Sequence, residues 1–209
     1  MSVPQILEEI LLDKPFFDNS GGGVTMSGGE PTAHPDFVSA LLQALKKKHI
    51  HTLVETAGHF HLDTFMEKLY PFIDMIYFDL KLIDRAAHKL YCGVPNDRII
   101  ENLTYLSKIA RSDHKPLKPR VPLIPGITDT RENLEGIAGL LVSLGLKRAT
   151  LLPFNPLWHE KRKKIGVVTS LKKDPRLTEF MAKERIEACR AVFASFEIKF
   201  DLVESPKIK

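Results

Sequence analysis

The chain has 209 residues, of which 44% are hydrophobic and 27% charged, and its formal net charge is +4 at pH 7. This composition excludes a disordered or collagen-like chain, and the length suits a single domain over residues 1–209. Lys and Arg outnumber Asp and Glu only by 30 to 26, too small an excess for a nucleic-acid-binding protein. No run approaches the roughly 18 apolar residues of a membrane-spanning helix, and the first residues do not resemble a signal peptide. We therefore expect a cytoplasmic protein that binds neither membranes nor nucleic acid.

Short apolar runs alternate with amphipathic helical patterns, which predicts an α/β fold built on parallel strands. The apolar runs predict strands at residues 23–26, 52–54, 74–78, 120–124, 149–152 and 198–203. Helical spacing of apolar residues predicts helices at 35–45, 62–69, 86–90, 99–109, 130–145 and 178–195. The run at 74–78 is typical of a strand covered on both faces. Residues 158–175 show the least regular pattern.

Polar residues follow the carboxyl ends of four predicted strands. In chain order they are Gly28, Gly29 and Glu30, then Glu55, then Asp79 and Lys81, and finally Asn155. Arg120, at the start of another predicted strand, is a further candidate. Since parallel strands direct their carboxyl ends to one edge, we expect these residues to converge on a zwitterionic ligand. The alternative is that they are helix caps and loop ion pairs.

The glycines match neither of the two common nucleotide-binding motifs. Neither G-x-x-x-x-G-K-[ST] nor G-x-G-x-x-G occurs around Gly28 and Gly29. A backbone that a ligand can approach closely remains the interpretation of this pair.

Six segments resemble, in order, the motifs of the glycyl-radical-enzyme activating enzymes, a family of radical S-adenosylmethionine proteins that includes the pyruvate formate-lyase activating enzyme. The segments are GGVTMSGGEP (22–31), ETAG (55–58), DLK (79–81), GVPNDRI (93–99), RVPLIPG (120–126) and LLPF (151–154). The resemblance covers about residues 16 to 160. It implies a partial (β/α) TIM-like barrel, with the first strand and the cluster-binding loop missing.

The resemblance also implies an activity, cofactors and partners. Such an oxidoreductase binds S-adenosylmethionine beside a 4Fe-4S cluster and uses a 5'-deoxyadenosyl radical to remove hydrogen from a glycine Cα of its partner. The partner would be a formate acetyltransferase-like or related glycyl radical enzyme, and flavodoxin or ferredoxin would donate the electron. By this resemblance, residues 28–30 would contact the methionyl amino group, and Asp79, Lys81 and Arg120 would hold the methionine and ribose.

The chain departs from the family pattern at three places. ETAG replaces the usual Asp-Thr followed by Asn or Ser and Gly, and Asn155 stands where a His is common, so the contacts of Glu55 and Asn155 differ from the family's. The family's cluster thiolates lie upstream of Gly-Gly-Glu in C-x-x-x-C-x-x-C, whereas this chain has only Cys92 and Cys189. No catalytic residue or metal ligand is therefore assigned in these residues.

Two interpretations stay open. The first is the C-terminal part of a longer activase, inactive by itself, and the second is a cluster-less, non-catalytic domain that binds S-adenosylmethionine or a partner.

Two pairs of histidines, His49 with His51 and His59 with His61, could each share a strand face. They lack acidic or thiol ligands nearby in sequence, which favours surface histidines over a metal site. Cys189 lies on the apolar stripe of the last helix and is expected to be buried.

Overall fold

The structure is a computed structural model that describes residues 1–156 and 175–202. Its helices are α1 Val3–Leu12, α2 Lys14–Ser20, α3 Pro35–Lys46, α4 Leu62–Lys68, α5 Arg85–Cys92, α6 Asp97–Ser112, α7 Arg131–Ser143 and α8 Lys183–Ser195. Its strands are β1 Gly23–Met26, β2 His51–Thr56, β3 Met75–Asp79, β4 Leu117–Leu123, β5 Arg148–Pro153 and β6 Lys199–Leu202. The strand pairs β1–β2, β2–β3, β4–β5 and β5–β6 are parallel, so the predicted α/β fold is confirmed.

Two elements, α8 and β4, start three or more residues away from their predicted positions, and helices α1 and α2 were not predicted. Neither α1 nor α2 has a buried residue, but α1 carries Val3, Ile6 and Ile10 at helical spacing and contacts α3. Helix α8 begins later than expected because Ala182 is extended, with φ −61° and ψ 144°. Strand β4 begins earlier, so Arg120 lies inside it rather than at its start. Most of the irregular segment 158–175 lies outside the described residues, as does Val203.

The chain forms two compact units. Unit 1 comprises Met1–Asp79 and Pro95–Lys118, and unit 2 comprises Leu80–Val94 and the residues from Pro119 onward. The single domain over residues 1–209 stays a prediction. In the described residues, no helix combines the length and the hydrophobicity needed to cross a membrane.

The register of unit 1 places the end of β1 beside the end of β2. Met26 is level with Val54, two residues before β2 ends, so the segment after β1 starts next to Glu55 and Thr56. On β3, burial alternates between buried and half-buried residues, so both faces are covered, one of them more completely than the other. The half-buried face carries Tyr77 and Asp79, whose polar groups favour contact with water.

Unit 2 pairs β4 with β5 and β5 with β6. Helix α7 begins as predicted, because the Thr130 hydroxyl accepts a hydrogen bond from the Asn133 N–H at 3.3 Å. Helices α7 and α8 pack against each other. Cys189 is 3% exposed, which confirms the predicted buried thiol.

Candidate functional site

The Glu30 carboxylate joins the segment after β1 to the segment after β2. Its Oε1 accepts hydrogen bonds from the Thr32 N–H at 3.3 Å, the Thr32 hydroxyl at 2.7 Å and the Thr56 hydroxyl at 2.9 Å. Its Oε2 accepts one, from the Ala57 N–H at 2.8 Å. A carboxylate has about four lone-pair sites, two on each oxygen. Oε1 is therefore saturated, while Oε2 has capacity for one more donor.

A second side-chain bond joins the same two segments. The Ser27 hydroxyl donates to Glu55 Oε2 at 2.8 Å. Glu30 and Glu55 thus belong to one hydrogen-bonded group that includes Ser27, Thr56 and Ala57. The structure thus brings together Glu30 and Glu55, two of the predicted residues.

Gly28 and Gly29 leave open space beside this group. A Cβ placed on either residue would meet no atom of the described chain within 4 Å. Gly28 also has φ +114°, a conformation that side chains other than glycine rarely adopt. A ligand can therefore approach the backbone of both residues closely.

Gly58 shows the opposite environment. A Cβ there would lie 2.2 Å from Cζ of Phe78, and φ is +80°. The buried side chain of Asn102, on α6, donates to the Gly58 carbonyl at 2.8 Å and to the Phe60 carbonyl at 2.9 Å. The segment after β2 is thus fixed by packing on one side and by an amide on the other.

Unit 2 holds its strand-end segments through Asn133. The Asn133 side chain accepts from the Ile83 N–H at 2.8 Å and donates to the carbonyls of Lys81 at 2.9 Å and Thr128 at 2.7 Å. The Thr128 hydroxyl donates to Pro122 O at 2.5 Å and accepts from the Ile124 N–H at 2.6 Å. Asn133 therefore holds the backbone at Lys81 and at Ile83 by hydrogen bonds.

Asp79, Arg120 and Asn155 lie at different positions relative to the ends of their strands. Asp79 is the last residue of β3 in unit 1 and is half-buried. Arg120 lies inside β4 in unit 2, where its carbonyl accepts from the Leu80 N–H at 2.8 Å. Asn155 follows β5. The convergence of all eight predicted residues on one ligand stays a prediction.

Asn102 and Asn133 were not predicted as site residues. Each is a polar residue on the apolar stripe of a predicted helix, since Asn102 lies four residues before Leu106 and Asn133 four before Ile137. A side-chain amide buried at such a core position needs hydrogen-bond partners. The occurrence of an asparagine on an apolar helix stripe was therefore the signal that could have identified both residues. Its partners are distant in sequence and could not be read from the pattern.

The cysteines do not fit a 4Fe-4S cluster. Such a cluster needs several thiolates at one place, and the chain has two cysteines, Cys92 at the end of α5 and Cys189 in α8. Burial raises the pKa of the Cys189 thiol to about 11, which disfavours the thiolate. In the described residues, His, Cys, Asp and Glu form no group of three or more that could hold a metal ion.

Residues 1–139 match the model of the Radical SAM superfamily. This match covers more than half of the chain, and it includes the segments around Gly28–Glu30, Glu55–Thr56 and Asp79–Lys81 described above. The chain belongs to the Radical SAM superfamily.

Among curated proteins, the chain is similar to activating enzymes of several lyases. It is 39% identical to the isethionate sulfite-lyase activating enzyme of Nitratidesulfovibrio vulgaris, over 77% of this chain and 51% of that protein. It is 35% identical to the choline trimethylamine-lyase activating enzyme of Oleidesulfovibrio alaskensis, over 90% and 60%. For the pyruvate formate-lyase 2-activating enzyme of Escherichia coli the identity is 34%, over 84% and 58%. The predicted resemblance is confirmed, and the chain spans about half the length of the curated relatives it matches.

Solved structures share the fold. A domain of the pyruvate-formate lyase-activating enzyme from Bacteroides vulgatus has a TM-score of 0.67 at 24% identity, covering 88% of this chain and 99% of that one. A radical SAM methyltransferase from Sphaerobacter thermophilus has a TM-score of 0.70 at 18% identity, covering 99% and 58%. The predicted fold class, a partial (β/α) barrel of radical SAM type, is confirmed.

Proposed function

We propose that this chain binds S-adenosylmethionine through the segments that follow β1 and β2. The observation that carries the proposal is the free capacity of Glu30 Oε2 beside the open backbone of Gly28 and Gly29. An ammonium group needs two or three acceptors when it leaves water, and a carboxylate with adjacent carbonyls supplies them. The methionyl amino group of S-adenosylmethionine has this chemistry.

The other predicted residues complete the proposed site. The Lys81 ammonium and the Arg120 guanidinium would bind the methionyl carboxylate and the ribose, together with Asp79. Glu55 and Asn155 would contact the remaining polar groups of the nucleoside. In this arrangement Glu30 has two roles, because the same carboxylate orders the segment at Thr56 and Ala57 and accepts from the ligand.

We propose further that the protein acts as an activating enzyme for a glycyl radical enzyme, as its curated relatives' names indicate for lyases. When bound and reduced, S-adenosylmethionine supplies the hydrogen-abstracting chemistry of the superfamily. The residues described here would orient the cofactor and keep water away from it. Flavodoxin or ferredoxin is the proposed electron donor, and the cytoplasm is the proposed location.

A second candidate function is favoured by the cysteine content. With two separated cysteines, the 209 residues do not fit the cluster, so a non-catalytic domain that binds S-adenosylmethionine or a partner is consistent with the same fold. Anaerobic reconstitution with iron and sulfide, followed by absorption and EPR spectroscopy, is expected to give no stoichiometric cluster on these residues. A cluster ligated by them would contradict this assignment.

Calorimetric titration of S-adenosylmethionine into the protein and its Gly29→Ala variant tests the binding proposal. The added methyl group meets no described atom within 4 Å, so the fold should persist, whereas a ligand close to the backbone would be displaced. We expect the affinity to fall roughly tenfold, equivalent to about 1.4 kcal/mol.

The matched control is Gly139→Ala in α7, whose added Cβ would meet only Phe196, at 4.0 Å. This variant should bind like the parent protein. The proposal is wrong if the parent protein does not bind S-adenosylmethionine, or if Gly29→Ala binds it as tightly as Gly139→Ala does.

A further inference from the structure

Unit 1 contains a pocket that shares only Glu30 with the proposed S-adenosylmethionine site. Its volume is about 400 Å³, within the range of small-molecule sites. It lies between the segment that follows Glu30 and helix α4. The residues that matter for its chemistry are Glu30, His59, Phe60, His61, Phe65 and Arg98.

The inner part of the pocket is aromatic and rigid. Phe60 is 5% exposed and Phe65 is 1% exposed. Their rings are stacked, with centroids 4.2 Å apart and an interplanar angle of 15°. Asn102 fixes the Phe60 carbonyl, so the backbone beneath the pocket is also held. These rings offer a preformed surface for an apolar group.

The rim of the pocket carries the Arg98 guanidinium and two imidazoles. Among the described residues, the side chains of Arg98, His59 and His61 have no hydrogen-bond or ion-pair partner. The one carboxylate that lines the pocket, Glu30, already receives four hydrogen bonds. The lining therefore has three basic side chains and one carboxylate, whose four hydrogen bonds all come from Thr32, Thr56 and Ala57.

This arrangement fits an anion better than a metal ion. Two histidines separated by one residue are common metal ligands, but the described residues add no third ligand there. Arg98 cannot lose its proton and would repel a cation. Its planar guanidinium matches the geometry of a carboxylate, to which it can donate two parallel hydrogen bonds.

We propose that this pocket binds a carboxylate attached to an aromatic or aliphatic group, with Arg98, His59 and His61 holding the carboxylate and Phe60 and Phe65 contacting the apolar part. The carboxylate belongs either to a free organic acid or to an acidic side chain beside an apolar residue in a polypeptide. Both sources present a carboxylate next to an apolar group, and an experiment can distinguish between them. This site is additional to the proposed S-adenosylmethionine site and does not depend on it.

Calorimetric titration of the protein with two probes tests the proposal. Phenylacetate represents the free acid, and the blocked dipeptide acetyl-Phe-Glu-amide represents the polypeptide. We expect at least one of them to bind, and the one that binds identifies the source. 2-Phenylethylamine, which has a similar apolar part and the opposite charge, is expected not to bind.

Arg98→Gln should weaken the binding roughly tenfold, since it removes the permanent charge and the bidentate donor. The matched control is Lys108→Gln, which removes one positive charge from an exposed position of the same helix about 15 Å further along, at ~1.5 Å per residue. Both variants should retain the thermal melt of the parent protein, because both side chains are exposed.

Three results would overturn the proposal. The first is that neither probe binds, and the second is that Arg98→Gln and Lys108→Gln bind the probe equally well. The third is that saturation with S-adenosylmethionine abolishes probe binding, because the pocket would then be part of the cofactor site. Failure of S-adenosylmethionine to bind, with probe binding intact, would overturn only the proposed function.

Discussion

The strand-end segments of unit 1 are joined through a carboxylate, whereas those of unit 2 are joined through a neutral amide. In unit 1, Glu30 accepts from Thr32, Thr56 and Ala57. In unit 2, Asn133 bonds to three backbone groups, at Lys81, Ile83 and Thr128. Both arrangements satisfy polar groups that would otherwise be buried without partners.

The difference between them is what remains available to a ligand. Glu30 keeps a negative charge and one acceptor site on Oε2, so it can order the backbone and still bind a cation. Asn133 is buried, with both side-chain N–H groups already used, so it can only fix the segment around Lys81. Under the proposed function, Glu30 of unit 1 would bind positive charge directly, whereas unit 2 would present Lys81 from a segment whose backbone is held by Asn133.

Unit 1 also contains an asparagine, Asn102, whose side-chain amide holds a strand-end segment. It donates to the carbonyls of Gly58 and Phe60, and in the part of the chain that the structure describes it makes no third bond of the kind that Asn133 makes to Ile83. Each asparagine is on a helix and bonds to a segment that follows a strand far away in sequence. The two units therefore share one way of fixing segments, to which unit 1 adds a charged group.

The largest effect that we expect comes from removing the amides. Asn133→Ala would leave three backbone groups unpaired and should lower the free energy of unfolding by about 3 kcal/mol, whereas Asn102→Ala would leave two unpaired and should lower it by about 2 kcal/mol. Urea unfolding followed by circular dichroism measures both changes.

The matched control for the two amide variants is Asn19→Ala, at an exposed position of α2. Its effect should stay within about 0.5 kcal/mol. If replacing either buried asparagine lowers the free energy of unfolding no more than Asn19→Ala does, its amide does not hold the strand-end segment. The comparison between the two units then fails.

A smaller effect is expected on binding when the ligand-facing charge of unit 2 is removed. Lys81→Ala should weaken the affinity for S-adenosylmethionine roughly tenfold, because a hydrogen bond to a charged group is worth about 1.5 to 3 kcal/mol. The thermal melt should stay unchanged, since Asn133 bonds to the Lys81 carbonyl and not to its side chain.

Lys89→Ala, at an exposed position of α5, is the control that removes the same charge from the same unit. It should leave both affinity and melt unchanged. A lowered melt with unchanged affinity for Lys81→Ala would mean that Lys81 serves in a structural ion pair and does not bind the ligand.

The smallest expected effect concerns a second carboxylate of unit 1. Burial raises the pKa of Asp74, but hydrogen bonds from Lys46 at 2.7 Å and from the Thr52 N–H at 2.8 Å lower it more, and the net pKa is below its usual value. A depressed pKa in the folded state stabilises the protein above the unfolded pKa of about 3.9. That stability is lost as the pH falls through the folded pKa.

Asp74→Asn should therefore lower the free energy of unfolding at neutral pH by about 1 kcal/mol, since the ion pair with Lys46 is only partly shielded from water. It should also flatten the loss of stability below about pH 4. Unfolding curves recorded between neutral pH and pH 2 check both effects. An acid transition as steep as that of the parent protein would show that Asp74 does not contribute to it.

The sequence by itself determined the fold class and the candidate segments. Apolar runs and helical spacing are local properties, so the strands around Val24, Val54, Ile76 and Leu151 and the cap at Thr130 could be predicted from neighbouring residues. The glycines at 28 and 29 and the carboxylate at 30 were recognised as site candidates for the same reason, because they follow a strand in an ordered set of motifs.

Only the tertiary structure decided how those candidates are used. The partners of Glu30 lie 26 and 27 residues away at Thr56 and Ala57, and those of Asn133 lie 50 and 52 residues away at Ile83 and Lys81. Arg98 shares one pocket with His59 and His61, although helices α4 and α5 and strand β3 lie between them in the chain. Hydrogen bonds and pockets depend on distances in space, and a linear pattern specifies these only after the strands have paired and the helices have packed.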